Sequence, residues 1–230
     1  MARRLSMRLS ACLNALSSLS RIADIGTDHA YLPCYGVANG IIDSAVAIDV
    51  IDGPLAQAQA TIADYGLEKK IEIRKGSGLA PLVVGEVQGV VLAGMGGRLI
   101  TRLLLDSILV AKSMELLVLQ PQSGEFGLRQ FLFDNHFEIV DELLVEEDGI
   151  IYTIIVAKPS EKVDVDNHLD LVFGPVLRKN PQDGLFIKKW MAELVAVEAV
   201  LGQIPAENPK RGEFERKRKL IRDVLAGVVS

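Results

Sequence analysis

Between residue 21 and about residue 157, short runs of consecutive apolar side chains alternate with longer stretches whose apolar positions recur every three or four residues. The short runs, at 21–26, 45–50, 71–75, 89–93, 116–120, 138–146 and 150–157, predict strands, and the stretches 30–40, 54–65, 98–111 and 125–135 predict helices. Strands that are apolar on both faces and separated by helices call for a parallel sheet covered on both sides. The last two strands are joined only by Glu147-Asp148-Gly149, too short for a parallel crossover. They are therefore expected to pair antiparallel through an acidic-Gly turn. The predicted fold class is α/β, a Rossmann-like sheet that is parallel except for one reversed C-terminal hairpin.

Both flanks read as helical. Leu5, Leu9, Cys12, Leu13, Leu16 and Leu19 repeat at helical spacing, which predicts an amphipathic helix over 5–19 packed on the domain. The first twenty residues hold arginines, serines and no acids, and Leu9-Ser10-Ala11-Cys12 matches a lipoprotein cleavage box. A cleaved signal is the competing reading, but Arg8 and Asn14 interrupt the apolar stretch that it needs. Beyond Pro159, from about Asn167, one helical face carries Leu169, Val172, Phe173, Val176 and Leu177, and Asn180-Pro181 breaks it. A second carries Phe186, Trp190, Leu194, Val197 and Leu201, and a third Phe214, Ile221, Val224, Leu225 and Val228. Residues 1–159 are thus expected to form the main domain and 160–230 a small, coiled-coil-like helical domain. No apolar run is long enough to span a membrane.

Composition narrows the function classes. Net charge is −5 and aromatics make up 5% of 230 residues, which speaks against blanket affinity for nucleic acid and against a base-stacking surface. Residues 160–230 nevertheless hold 12 Lys/Arg against 11 Asp/Glu, whereas 1–159 hold 13 against 19. A polyanion must therefore meet local patches: Arg3, Arg4 and Arg8 at one end, Lys210, Arg211, Arg216, Lys217, Arg218 and Lys219 at the other. Two cysteines without metal or disulfide spacing fit a reducing, cytoplasmic setting.

The candidate chemistry gathers where the predicted strands end, since ligands of open α/β sheets sit beyond the carboxyl ends near the switch point. The first strand runs into Asp24-Ile25-Gly26-Thr27-Asp28-His29-Ala30-Tyr31-Leu32-Pro33. There is no G-x-G-x-x-G fingerprint, and two carboxylates would repel a pyrophosphate. A cofactor bearing cationic sulfonium and ammonium groups fits better, which favours S-adenosylmethionine over a dinucleotide. Asp49, at the end of the second strand, can accept both ribose hydroxyls of an adenosine or stand as a solvated strand-end residue. Gly76-Ser77-Gly78 is a flexible loop within reach of an adenine. Ala93-Gly94-Met95-Gly96-Gly97 packs three glycines into four positions, so backbone can approach a ligand closely. After the fifth strand, Gln120 and Gln122 offer amides to a base, or Ser123 caps the next helix. Asp28 either works in the site or caps the helix after it; His29 and Tyr31 are the polar residues best placed to face a substrate. His136 and His168 read as ordinary surface or packing residues, and no cluster has metal-ligand spacing.

Taken together, Asp24–Pro33, Ala93–Gly97 and Leu119-Gln120-Pro121-Gln122 resemble the bacterial tRNA (adenine(22)-N1)-methyltransferase family, over essentially the whole chain. The resemblance implies a class I S-adenosylmethionine-dependent methyltransferase fold. It implies methyl transfer to N1 of an adenine in the D-arm region of tRNA, by direct attack of N1 on the sulfonium methyl. It implies a tRNA-contacting role for the helical domain, and a monomer or weak dimer is expected. The cofactor set is then Asp24, Gly26, Thr27, Asp28, His29, Asp49, Val50, Gly76, Ser77, Gly78, Ala93, Gly94, Met95, Gly96 and Gly97. Asp28 and Tyr31 are the catalytic candidates. The RNA set is Arg3, Arg4, Arg8, Gln120, Gln122, Lys210, Arg211, Arg216, Lys217, Arg218 and Lys219. Ser77 departs from the family's frequent Asp or Asn. The rivals are a methyltransferase for a different substrate, a catalytically silent module that binds the cofactor or RNA, and an NAD-dependent oxidoreductase.

Overall fold

The computed structural model describes residues 5–161 and 168–227. Arg3, Arg4, Asn167 and Val228 lie outside them. A seven-stranded sheet forms the centre: β1 (Arg21–Ile25), β2 (Ser44–Asp49), β3 (Ile71–Lys75), β4 (Gly89–Met95), β5 (Leu116–Pro121), β6 (Phe137–Glu147) and β7 (Ile150–Pro159). Its order is β3-β2-β1-β4-β5-β7-β6. The first five strands are parallel, while β7 runs antiparallel to both β5 and β6. The order reverses between β1 and β4, which opens a crevice at their carboxyl ends.

Alternation along these strands builds two apolar layers. Ala23, Ile25, Val46, Ile48, Val90, Leu92, Leu117 and Leu119 point to one face. There they meet α4 (Gly97–Asp106), α5 (Ile108–Ala111) and α6 (Glu125–Asp134) through Ile100, Leu104, Ala111, Leu128 and Leu132. Ile22, Ala45, Ala47, Val91, Val118 and Ile154 point to the other face. They pack under α1 (Met7–Ala15), α2 (Tyr31–Ala38) and α3 (Asp52–Asp64). The predicted helix 98–111 is in fact broken at Ser107, whose φ of −133° and ψ of 41° leave the helical region. The hairpin forms as expected: Asp148 (φ 51°) and Gly149 (φ 78°) both take left-handed backbone, as a two-residue primed turn requires.

The C-terminal segment comprises α7 (His168–Phe173), a 3-10 turn at Leu177–Lys179, α8 (Gly184–Gln203) and α9 (Arg211–Leu225). Asp183 caps α8 by accepting from the N–H groups of Leu185 and Phe186, each at 2.9 Å. Phe173, Phe186, Trp190, Val197, Leu201, Ile221 and Val224 form its own apolar core, to which Leu144 of β6 contributes. Ion pairs Lys217–Glu193 and Arg222–Glu198 tie α9 to α8.

A buried ion pair joins this segment to the sheet. Arg129 of α6 donates from Nε to Glu142 Oε1 at 2.8 Å, with side chains 2% and 0% exposed. Its Nη1 also donates to the carbonyls of Leu171 and Val172 at 3.0 and 3.1 Å. Glu142 Oε2 accepts from Val176 N at 3.1 Å. Nearby, Lys189 of α8 donates to Glu125 Oε1 and Thr153 Oγ1 at 2.9 and 2.6 Å. Among the described residues, no helix is long and apolar enough to cross a membrane.

Candidate active site

The turn after β1 is held in an unusual backbone path. Gly26, Asp28 and Ala30 all have positive φ (70°, 51° and 55°). Left-handed backbone costs a non-glycine residue about 1 kcal/mol or more, so the surrounding bonds must impose it. Two of them come from the N–H groups of Gly26 and Thr27, which donate to Ile48 O at 2.8 and 3.1 Å and draw the turn over the end of β2. At Gly26 the site also requires the absence of a side chain, since a Cβ there would lie 2.3 Å from Met95 Cε.

Three carboxylates gather here. Asp24 is 6% exposed. Burial pushes its carboxyl up to about 6; the Thr27 hydroxyl, donating at 2.7 Å, opposes this, and the charges of Asp49 and Asp28 reinforce it. Asp49 accepts at Oδ1 from Val50 N and Ile51 N (2.7 and 3.1 Å) and at Oδ2 from Asp28 N (3.4 Å). It thus serves the local backbone and keeps lone pairs on Oδ2 for another donor. Val50, 53% exposed beside it, offers an apolar surface.

Asp28 does not cap α2: the cap position is Ala30, and no side chain bonds there. Instead its carboxylate, 67% exposed, lies 3.5 Å from His29 Nε2. His29 stacks on Tyr31, centroids 5.2 Å apart and planes inclined by 22°. Ser123 does not cap α6 either, because Gly124 holds that position.

Gly76 donates to Asp49 O at 3.0 Å, which brings the 76–78 loop beside β2, with Ser77 exposed. The 93–97 loop is fixed from the other side. Gly97 N donates to Ser123 O at 2.7 Å, and a Cβ on Gly97 would stand 2.6 Å from Gly124 O. Gln122 N donates to Met95 O at 2.8 Å, and the Gln122 side chain is exposed.

Several RNA candidates sit differently from the sequence expectation. Gln120 is fully buried. Its Oε1 accepts from Gly94 N at 2.9 Å and Arg8 Nη1 at 2.5 Å, and its Nε2 donates to Pro121 O at 2.9 Å. No polar atom of Gln120 is left to read a base. Arg8, with its side chain 18% exposed, also lies against Glu147 and Tyr152. Arg211 donates to Leu201 O and Ile204 O at 3.0 and 2.8 Å, so it secures the end of α8. Lys217 and Lys219 pair with Glu193 and Asp223. Lys210 and Arg216 are exposed and Arg218 is half-buried. Arg216 and Lys217 line a groove of about 850 Å³ between α6 and the helices α8 and α9, together with Gly124, Phe126, His168 and Trp190. This groove adjoins the strand-end site through Gly124.

The partners that tie Arg8, Gln120, Arg129 and Glu142 together lie far apart in sequence and carried no local signal. Burial pushes the thiols of Cys12 and Cys34 up to about 12, so neither is a nucleophile at neutral pH. No group of three or more His, Cys, Asp or Glu among the described residues is arranged to hold a metal.

Known proteins carry the same plan. The Bacillus subtilis tRNA (adenine(22)-N(1))-methyltransferase is 32% identical over 96% of this chain and 97% of its own. Streptococcus pneumoniae Sp1610, solved with S-adenosyl-L-methionine, superposes with a TM-score of 0.88 at 35% identity, over 96% of this chain and all of that one. M. capricolum TrmK, solved with S-adenosyl-homocysteine, gives a TM-score of 0.89 at 25% identity, over 99% and 100%. Residues 22–225 match the family described as TrmK, tRNA (adenine(22)-N(1))-methyltransferase. From the strand-end carboxylates to the C-terminal helices, the chain belongs to that family.

Proposed function

We infer that this chain uses S-adenosylmethionine to methylate N1 of adenine 22 in tRNA. The observation that carries the reading is the cluster of Asp24, Asp28 and Asp49 at the strand ends, facing the glycine loop 93–97, in a chain of this family. The donor set fits the cofactor. A site with three carboxylates and no lysine or arginine among its cofactor residues suits a ligand carrying positive charge and disfavours a pyrophosphate. Met95 packs directly over Gly26, so the turn after β1 and the glycine loop 93–97 meet at the strand ends.

When bound, S-adenosylmethionine supplies an electrophilic methyl group. Asp24 and Asp28 would hold negative charge beside its cationic groups, and Asp49 would accept from ribose hydroxyls with its remaining lone pairs. Val50 would offer its adenine an apolar surface, and Ser77 a hydrogen-bonding group. Neutral adenine N1 has an in-plane lone pair and no proton, so the chain needs no strong base. Its tasks are to orient the base and exclude water. N1 lies on the Watson–Crick edge, and the base must leave its stack to react. Tyr31, backed by His29, offers that base a flat surface, and the Asp28 carboxylate stabilises the cationic methylated ring.

The tRNA backbone lies along α8 and α9, with Arg216 and Lys217 at the groove beside Gly124 and Arg218 further along α9, and the enzyme works in the cytoplasm beside its substrate. A radiolabelled methyl-transfer assay on unmodified tRNA, followed by nucleoside analysis, tests the proposal. Labelled 1-methyladenosine that disappears when adenine 22 is replaced supports it. Cofactor binding without any methylated nucleoside would overturn it.

A further inference from the structure

We propose that Arg8, on the N-terminal helix, is a positioning residue for methyl transfer: through the buried Gln120 carboxamide it fixes the Gly94 N–H and so the loop that faces the strand-end site. This rests on the reading of that site given above.

The register between β4 and β5 shifts between Ala93 and Met95, so Gly94 falls out of the ladder. Its N–H finds Gln120 Oε1 instead, at 2.9 Å. A glutamine carboxamide can turn end for end by rotating its last torsion, which would present NH2 where oxygen is needed. Arg8 decides the orientation. Its Nη1 donates to the same Oε1 at 2.5 Å, so the turned amide would set donors against both Arg8 and Gly94. Only the bonded arrangement also lets Nε2 donate to Pro121 O.

Arg8 is itself held on further sides. Its Nε stands 3.7 Å from Glu147 Oε2, its backbone N donates to Glu147 Oε1 at 3.4 Å, and its guanidinium carbon lies 5.4 Å from the Tyr152 ring centroid. Glu147 matches its charge, which suits a place beside a reaction that forms a cationic ring. Gly94, with φ of 77°, bends so closely that a Cβ there would lie 3.7 Å from Arg8 Nη1. The guanidinium therefore lies against the Gly94 turn, with its side chain 18% exposed.

The test compares Arg8→Met, Arg8→Lys, Gln120→Leu and the Arg8→Met/Gln120→Leu double variant in the full-length enzyme. Four quantities are read: kcat and KM with tRNA, cofactor affinity by calorimetry, the salt dependence of tRNA binding, and hydrogen exchange of the Gly94 amide by NMR. The expected result is a fall in kcat of about tenfold to a hundredfold for Arg8→Met and for Gln120→Leu, the scale of a misplaced active-site loop. Gly94 exchange rises in step, while KM, cofactor affinity and salt slope change by less than about twofold. Arg8→Lys, which keeps one donor to Gln120, recovers part of both kcat and Gly94 protection. The double variant is no slower than the slower single one, because both act through one path. A raised KM with a shallower salt slope and unchanged kcat would make Arg8 an RNA contact and overturn the proposal. A lowered melting temperature with unaltered kcat and Gly94 exchange would make it a packing residue only. Should wild type methylate no tRNA, the function above fails, and Gly94 exchange in the variants still decides the role of Arg8.

Discussion

Replacing Glu142 by Gln keeps the shape of the side chain and removes its charge. It leaves the Arg129 guanidinium buried without a counter-charge, facing an amide oxygen and two backbone carbonyls, and it sets the new NH2 against the N–H of Val176. Because the pair is 2% and 0% exposed, solvent does little to screen the loss. Breaking such a pair from one side costs about 3–5 kcal/mol. For a chain of 230 residues this is a fall in melting temperature of about 6–20 °C, at about 2–4 °C per kcal/mol. The damage is expected first at the junction that the pair holds, so limited proteolysis should cut near residues 168–179 before the sheet unfolds. Gly174→Ala should act alike, because a Cβ there would stand 2.2 Å from Glu142 Oε2. Replacing both partners with apolar residues, Arg129→Met with Glu142→Leu, should recover most of the stability, since a matched apolar pair pays no desolvation. Thermal and urea denaturation of the three variants check this. A loss under about 1 kcal/mol for Glu142→Gln, the range of a solvated pair, would refute the reasoning.

Asp24 should make the protein pH-sensitive. Its carboxyl is raised from 3.8 to about 6 in the fold, so between these values the folded chain binds more protons than the unfolded one and stability falls as pH rises. The whole effect is about 3 kcal/mol, and the unfolding free energy of wild type, measured by urea denaturation, should fall by about that amount relative to Asp24→Asn between pH 4 and 7. Cofactor affinity should rise with pH through the same window as Asp24 gains its charge. Gly97→Ala should force apart two backbone segments, because its Cβ would stand 2.6 Å from Gly124 O, at a cost of about 1–3 kcal/mol and with loss of single-turnover methyl transfer. Arg216→Ala and Arg218→Ala should each reduce the log–log salt slope of tRNA binding by about 0.7–0.9, whereas Arg211→Ala should lower the melting temperature and leave the slope alone.

The sheet was legible because its central strands bury both faces: Ala23, Ile25, Val46 and Leu92 on one side, Ile22, Ala45, Val91 and Val118 on the other, leave runs that no amphipathic helix produces. The hairpin followed from three residues between two strands. The helix break at Ser107 had no local mark, since apolar residues continue from Leu103 to Val110 around a residue that helices tolerate. In the site, the glycines and carboxylates stand in four short stretches, at 24–28, 49–50, 76–78 and 93–97, each at the end of a predicted strand, and were readable as a group. The roles of Arg8, Gln120 and Arg211 were not. A charged or amide side chain is read as solvated until a distant partner is known, and those partners are 112 and 139 residues away for Arg8. The left-handed Ala30 was equally hidden, because alanine gives no sign of a backbone path that its neighbours impose.

The docking of α1 has a consequence for synthesis. The helix is synthesised before every strand of the sheet, yet it lies against β4, β5, β6 and β7 as well as α2. Its arginine bonds to residues made more than a hundred positions later. An emerging chain can assemble β1 to β4 with their helices while α1 has only α2 and β4 to lie against. The last hairpin supplies the rest of its surface and Glu147, so the floor beneath Gly94 closes only when nearly the whole sheet has been translated. A truncated product would then present a folded strand-end cleft with an unsecured loop.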